Sequence, residues 1–153
     1  MEKQPQGGIR RVTTTQDKAG LAIVEHDDEC ELLDVTPEHA TFAVVWSSDK
    51  SPADNADPRD GAKQPVWSGQ LHNPEGSVLR FVDFPPHCKS PMHKTQSLDY
   101  GIVMWGEIEL HLDGGEKRTL KQSEVIVQRG TNHLWANTTD KWTRVAFVLL
   151  GAK

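Results

Sequence analysis

Apolar residues alternate with polar ones in short runs along most of the chain, and no run keeps a helical period for more than about a dozen residues. A period of two is typical of strands that bury one face, whereas a period of 3.6 indicates a helix. The residues between the runs are glycine, proline, aspartate and asparagine, as in DGGE and NTTDK, and these favour tight turns. The pattern predicts an all-β chain.

The predicted strands fall into two groups. Near the N-terminus, IRRVTTTQDKAGLAIVEHD predicts two strands around a Lys-Ala-Gly turn, and residues 41–46 predict a third. Residues 49–65 are rich in proline, aspartate and glycine, which predicts a long exposed loop. Eight strands then follow in quick succession: VWSGQL, SVLRFVDF, DYGIVMW, EIELHLD, KRTLK, EVIVQ, HLWAN and TRVAFVLLG. So many short strands in one small chain indicate a sandwich or barrel, most naturally a jelly roll.

Composition narrows the possible partners. A chain of 153 residues with 36% hydrophobic content can bury one sizeable core, so one domain is expected. Its net charge of -5 and its lack of a dense basic run argue against nucleic acid and against a basic membrane-binding surface. Without an apolar leader or a membrane-length apolar run, we expect a cytoplasmic protein. Cys30 and Cys88 form no C-x-x-C, and we expect two free thiols.

The stretch SPMHKTQSLDYGIVMWGEIEL, residues 90–110, places a histidine and an aspartate ahead of an apolar strand. If Gly106 and Glu107 form a two-residue turn, the two flanking strands form a hairpin. One face then carries Asp99, Gly101, Val103, Trp105, Ile108, Leu110 and Leu112. Asp99 would lie at the inward rim of this apolar face.

An inward carboxylate needs a partner, because an unpaired buried charge is unfavourable. Asp99 can accept backbone N–H groups at the strand start, or it can meet His93. Six residues of extended chain would separate these two by about 20 Å, so they meet only if the chain reverses within KTQSL.

Two motifs in this region resemble those of the cupin superfamily, over residues 77–150. Asp99 followed by Gly106 matches the end of the first cupin motif, and QRGTNHLWAN supplies Gly130, His133 and Asn137 at the offsets of the second. Three positions depart from the usual pattern: His93 is followed by Thr95 rather than a second histidine, Asp99 replaces a glutamate, and Gln128 replaces a proline.

The resemblance implies a single-domain cupin jelly-roll β-barrel or sandwich with N-terminal strands. Residues 77–150 would form the cupin core with both half-motifs, and residues 1–76 would supply N-terminal strands and the exposed loop that complete the barrel.

The resemblance also implies a site. Carried over residue by residue, the metal ligands become His93, Asp99 and His133, and a divalent ion such as Fe, Mn, Zn or Ni could bind there. In the metal-free alternative, His133 is the general acid or base and Asp99 orients an imidazole. His87 and Cys88 could add ligands, but a surface loop is the preferred interpretation for both.

Aromatic residues suggest the walls of a pocket. Trp135 and Asn137 alternate with His133 and should share its face, Trp105 and Val103 share the face of Asp99, and Trp46 ends a strand just before the long loop. Tryptophans also fill protein cores, and sequence alone leaves core filling and a pocket for a small flat molecule equally open.

The functional hypothesis is a small-molecule enzyme of lyase or isomerase type, which decarboxylates or dehydrates a carboxylated or aromatic, polyketide-like metabolite. A non-haem metal-dependent dioxygenase and a non-catalytic small-molecule sensor are the alternatives. The strand Tyr100–Met104 is apolar on both faces, and together with the resemblance this predicts a two-fold homodimer.

Overall fold

A computed structural model describes residues 7–34, 40–63 and 73–153, and within these ranges it contains strands and no helix. No helix in this part of the chain could therefore span a membrane. The strand expected at residues 66–71 and the last two residues of the expected loop lie outside the described residues. The strands are β1 Ile9–Gln16, β2 Ala22–Cys30, β3 Leu33–Asp34, β4 Thr41–Ser48, β5 Ser77–Phe84, β6 Ser97–Trp105, β7 Glu107–Leu112, β8 Lys117–Lys121, β9 Val125–Arg129, β10 His133–Ala136 and β11 Thr143–Gly151.

Two sheets enclose the core. One has six strands in the order β3-β4-β5-β11-β6-β9, and the other has three in the order β10-β7-β8. Buried apolar side chains of both sheets form a single cluster, which includes Val78, Val103 and Leu149 from the first and Ile108, Leu110 and Trp135 from the second. This architecture confirms the all-β jelly-roll prediction.

The predicted hairpin at Gly106 is wrong. β6 pairs with β11 and β9, while β7 pairs with β8 and β10, so the two strands belong to different sheets. Gly106 has a φ of 76°, and a Cβ there would lie 2.6 Å from the Thr143 hydroxyl. That hydroxyl donates to the Glu107 carbonyl over 2.7 Å and accepts from its N–H over 3.2 Å. A glycine is therefore required at a corner where the chain crosses between sheets.

The alternation expected along β6 is correct up to Val103. Asp99, Gly101 and Val103 are buried, but Trp105 is 41% exposed. The reason is a register irregularity: Arg144 and Val145 of β11 pair with Trp105 and Val103, so β6 has one extra residue there and its alternation changes. The prediction that Trp105 lines the lumen is wrong.

The hairpin of β1 and β2 forms a separate sheet and is tied to the barrel by one buried arginine. Arg11 donates two hydrogen bonds to Asp28 and two to Asp60, which lies in the loop after β4. The Arg11 guanidinium lowers the pKa of Asp60 to about 2. Ser47 adds a second anchor by donating to the Gly61 carbonyl over 2.6 Å. The exposed loop is therefore fixed at Asp60 and Gly61.

Truncation of the core should destabilise the barrel. Leu110 is 4% exposed and belongs to the core cluster, so Leu110→Ala should lower the free energy of unfolding by about 2 to 5 kcal/mol through lost burial and cavity formation. The measurement is urea unfolding followed by circular dichroism. The control is Val24→Ala in β2, where the residue is 58% exposed, and it should change stability by less than about 0.5 kcal/mol. Equal losses in both variants would contradict this placement of the core.

Candidate functional site

Residues 88–93 run beside β10 and bring two histidines together. Lys89 bridges Ala136, and His93 bridges His133 in the antiparallel sense. The His93 N–H donates to the His133 carbonyl over 2.8 Å, and the reverse bond measures 2.9 Å. Because directly opposed residues of an antiparallel pair project to the same side, the two imidazoles are adjacent. Their ring centroids lie 4.4 Å apart.

Both imidazoles are held by backbone carbonyls. Nδ1 of His133 lies 2.8 Å from the Thr131 carbonyl oxygen, and Nδ1 of His93 lies 2.9 Å from that of Pro91. A carbonyl can only accept, so each Nδ1 carries the proton and each Nε2 carries a lone pair when the ring is neutral. Neither Nε2 has a hydrogen-bond partner within the described part of the chain. The pair therefore presents two basic nitrogens.

Burial makes His133 a neutral base. The residue is 3% exposed, and desolvation lowers its pKa from the usual value near 6.5. The neighbouring His93 lowers this pKa further, because a positive charge on one imidazole disfavours a second beside it. The hydrogen bond to Thr131 and the carboxylate of Asp99 act in the opposite direction. At neutral pH the imidazole of His133 is uncharged.

Asp99 faces the same lumen from the other sheet, because the chain crosses between the sheets within residues 94–97. Its carboxylate accepts a hydrogen bond of 2.6 Å from the Ser97 hydroxyl, which is itself 2.8 Å from the hydroxyl of Thr95. Within the described residues, its carboxylate forms no hydrogen bond with a backbone N–H group or with His93. The expectation that Asp99 orients an imidazole is corrected, since the carbonyls of Thr131 and Pro91 do so.

Gln128 stands where the usual motif has a proline, and its hydrogen bonds explain how a glutamine serves at this position. Its side chain is buried, and its amide donates to the Thr131 carbonyl over 3.2 Å and to the Thr131 hydroxyl. The same carbonyl accepts from His133. Gln128 thus fixes the turn that presents this histidine.

The side chains of His93, Asp99 and His133 do not form a complete ligand set for a metal. Among the described residues, no group of three or more histidine, cysteine, aspartate or glutamate side chains could hold an ion. The two Nε2 atoms are suitable donors, but the Asp99 carboxylate is engaged by Ser97. The arrangement therefore does not fit the three-ligand centre that the resemblance implies.

Two of the expected pocket residues lie inside the barrel. Val103 and Trp135 are 2% and 5% exposed, and both belong to the core cluster. The ring of Trp135 lies 5.7 Å from that of His133 and 5.5 Å from that of Phe147. Trp135 therefore extends the aromatic wall from the histidine pair into the barrel.

Asn137 has a structural role instead. Its amide donates to the carbonyls of Phe84, Pro85 and Lys141, and its oxygen accepts from Thr139. The residue is 1% exposed, and these bonds leave no group available to a ligand. The prediction that Asn137 lines the pocket is corrected, because its side chain clamps the turn after β10.

Trp46 also lies away from the histidine pair. It pairs with Leu79, on the opposite face of the sheet from the buried Val78, and packs against Gly61. It lines an open groove of about 1450 Å³ beside the N-terminal hairpin, and the residues that line this groove include none of the three predicted site residues. We assign the chemistry to the lumen, because the two adjacent imidazoles lie there, whereas the residues that line the groove include no histidine or cysteine.

His87 and Cys88 add nothing to the site as ligands. His87 is exposed, and its Nε2 lies 2.8 Å from a carboxylate oxygen of Asp140, as expected for a surface loop. Cys88 is 6% exposed within the core cluster, so the surface interpretation was wrong for this residue. Neither Cys30 nor Cys88 forms a disulfide bond, in agreement with the prediction.

Sequence reasoning missed Arg80, although the alternation in SVLRFVDF contains the signal. Arg80 shares its face of β5 with the buried Val78, and it stands opposite Phe147 of β11. Its Nε is buried without a hydrogen-bond partner. Desolvation lowers its pKa to about 10, while the nearby carboxylate of Asp99 acts in the opposite direction. The lumen therefore contains a protonated arginine at neutral pH.

The tautomers of the histidine pair can be tested by NMR. At pH 7.5, long-range ¹H–¹⁵N spectra should show a protonated Nδ1 and an unprotonated Nε2 in His93 and His133, because both Nδ1 atoms face carbonyl oxygens. On acidification, His133 should gain its second proton only below about pH 6.5. His87 is the internal control, since its Nε2 faces a carboxylate and should carry the proton. An Nε2–H tautomer in His133 would contradict the proposed orientation.

No family model matches the chain. Individual relatives do match it. Phomopsin biosynthesis cluster protein C' of Diaporthe leptostromiformis is 39% identical over 155 residues, which cover 94% of this chain and 78% of that protein. The cupin-domain-containing oxidoreductase srdD of Neurospora crassa is 34% identical over 160 residues, which cover 100% of this chain and 82% of that protein.

The solved structures agree in fold. A Cupin 2 conserved barrel domain protein from Salinispora arenicola CNS-205 superposes with a TM-score of 0.53 at 17% identity, over 78% of this chain and 81% of that chain. The jelly-roll architecture, the two motif regions and the relatives at more than 30% identity together show that the chain belongs to the cupin family as a small single-domain member.

Proposed function

We propose that this cupin is a small-molecule enzyme that uses the His93–His133 pair for proton transfer, in lyase or isomerase chemistry such as decarboxylation or dehydration. The substrate would be a carboxylated or enolisable metabolite that enters the lumen between the two sheets. Similarity to a protein of a biosynthesis cluster supports a role in small-molecule metabolism. The contact between the two imidazoles, whose Nδ1 atoms are both fixed, is the observation that carries the proposal.

In decarboxylation, the bond between carbon and the carboxylate breaks, its electron pair forms the enolate, CO₂ leaves, and the enolate carbon takes up a proton held at Nε2 of His133. In dehydration and isomerisation, the first chemical step is instead removal of a proton from carbon. Neutral His133 has a lowered pKa and a free Nε2, so it can take a proton from the carbon beside a carbonyl or carboxyl group. The bond to hydrogen breaks, its electron pair forms the enolate, and the proton moves to Nε2. The imidazolium can then return this proton to another atom of the same substrate or to a leaving hydroxyl group. Burial strengthens the electrostatic interactions in such a step.

Loss of the base should abolish proton transfer. His133→Gln should slow catalysis by about 10² to 10⁴-fold, the usual contribution of a positioned general base. The experiment incubates the protein in D₂O with a panel of 3-oxo and 3-hydroxy carboxylic acids and follows deuterium uptake and loss of CO₂ or water by NMR.

The control is His87→Gln, which changes an exposed histidine outside the lumen and should leave the rate unchanged. Wild-type protein that exchanges no proton in any acid of the panel, or a His133→Gln variant as fast as wild type, would contradict the proposal. Circular dichroism of both variants separates a chemical effect from unfolding.

The similarity to an oxidoreductase favours a second candidate, an O₂-dependent enzyme. Two adjacent imidazoles with lone pairs on Nε2 are part of the donor set that non-haem iron enzymes use. Elemental analysis of the purified protein, together with oxygen consumption on the same panel, separates the two candidates. Oxygen uptake with bound iron would favour the oxidoreductase, whereas proton exchange without oxygen uptake would favour the lyase or isomerase.

We also propose that the chain forms a homodimer through the outer face of the six-stranded sheet. In this sheet β9 is an edge strand, and its outer face together with that of β6 is apolar. The large apolar side chains exposed there are Tyr100, Ile102, Met104, Val125 and Val127. Contiguous apolar surface of this kind marks contact sites in proteins.

Light scattering should therefore give about twice the chain mass of 17.1 kDa. Val127→Lys should shift the protein towards monomer, because it places a charge in the apolar face. Thr119→Lys, on an exposed position of β8 in the other sheet, should leave the assembly unchanged. A wild-type monomer at micromolar concentration would refute the dimer.

A further inference from the structure

Arg80 differs from the other two arginines that point away from solvent. Arg11 is 5% exposed and bonds to two carboxylates, and the guanidinium of Arg144 donates to both oxygens of the fully buried Asp83, over 2.7 and 2.8 Å. In the described part of the chain, the side chain of Arg80 takes part in no hydrogen bond or ion pair, and its Nε is buried. The residue as a whole is only partly buried, but a guanidinium whose Nε is shielded from water without a partner is incompletely satisfied, so this position favours an anion.

The position of Arg80 connects it to the histidine pair. Opposite it on β11 is Phe147, whose ring contacts Trp135, and Trp135 in turn contacts His133. The carboxylate of Asp99 interacts electrostatically with both Arg80 and His133. Arg80 and the two imidazoles therefore border one lumen and are separated by an aromatic wall.

Asp99 does not neutralise Arg80 as a direct partner. Its carboxylate accepts a hydrogen bond from the Ser97 hydroxyl, and no ion pair of the described residues joins it to Arg80. Val44, which pairs with Arg80 on the neighbouring strand, and Phe147 are both apolar. The guanidinium therefore keeps its donors for a group that the protein does not itself supply.

We propose that Arg80 is the carboxylate-binding residue of the lumen, and that the ligand is an aromatic or similarly flat carboxylate whose body lies along Trp135 and whose reactive carbon faces the histidine pair. A guanidinium binds both oxygens of a carboxylate through parallel N–H donors, which fixes the direction of the ligand as well as its charge. That the ligand is a substrate rests on the proposed function, whereas anion binding at Arg80 does not require the histidines.

The test compares two probes that differ in charge and little in shape, benzoate and benzamide, by titration calorimetry in low-chloride buffer. Wild-type protein should bind benzoate at least ten-fold more tightly than benzamide. Arg80→Met should lose this preference, because methionine keeps much of the length of the side chain but has no donor. Arg80→Lys should keep a weaker preference, because it retains the charge without the paired donors.

The control is Arg129→Gln, which removes one positive charge at an exposed position of β9 and should leave the preference unchanged. The indole NMR resonance of Trp135, assigned with Trp135→Phe, should shift with benzoate and so place the probe in the lumen. Circular dichroism verifies the fold of each variant, and if Arg80→Met does not fold, Arg80→Gln takes its place.

Several outcomes would overturn this assignment: wild-type protein that binds neither probe, equal binding of the two, or a benzoate preference that persists in the folded Arg80 variant without a charge. Failure here is distinguishable from failure of the proposed function. His133→Gln should keep the benzoate preference while losing proton transfer, so each variant affects one property and leaves the other intact.

Discussion

The reciprocal backbone hydrogen bonds between His93 and His133 are the constraint on which the site depends. They join the segment that follows β5 to an edge strand of the smaller sheet, at the end of the barrel where the chain then crosses to the larger sheet. The same bonds determine which residues face each other. The two imidazoles are neighbours because the backbone pairs there, and no direct hydrogen bond between the side chains is needed. The geometry of the pair is thus a property of the fold.

The sequence predicted the strands well, because alternation and turn residues act locally. SVLRFVDF, KRTLK and TRVAFVLLG coincide with β5, β8 and β11. It failed at Gly106, where the same left-handed residue can close a hairpin or turn a corner between sheets. The choice is made by Thr143, which is distant in sequence and holds both backbone groups of Glu107. Information of this kind is absent from any local pattern.

The candidate site was predictable only in part for the same reason. The spacing of the motifs indicated His93 and His133, and the structure brings them into contact. Trp105 and Asn137 were assigned to the pocket from alternation, and Trp46 from its position at the end of a strand before the long loop. The pairing of its strand places Trp46 on the other face of the sheet, and a register irregularity exposes Trp105. The amide of Asn137 is used in hydrogen bonds that hold a turn. Arg80 was overlooked because a lone arginine in an apolar strand carries no motif, although its parity with Val78 already indicated an inward direction.

The carbonyl contacts of the two imidazoles also limit the route of a proton. A histidine that relays protons accepts at one ring nitrogen and releases at the other, but here each Nδ1 donates to a carbonyl oxygen, which cannot carry the proton onward. A proton taken up at Nε2 can leave only through Nε2, into the same lumen. Hydrogen removed from a ligand therefore returns, or exchanges with solvent, on the side of the ring at which it arrived. Such a site favours transfers that are confined to one face of the ligand.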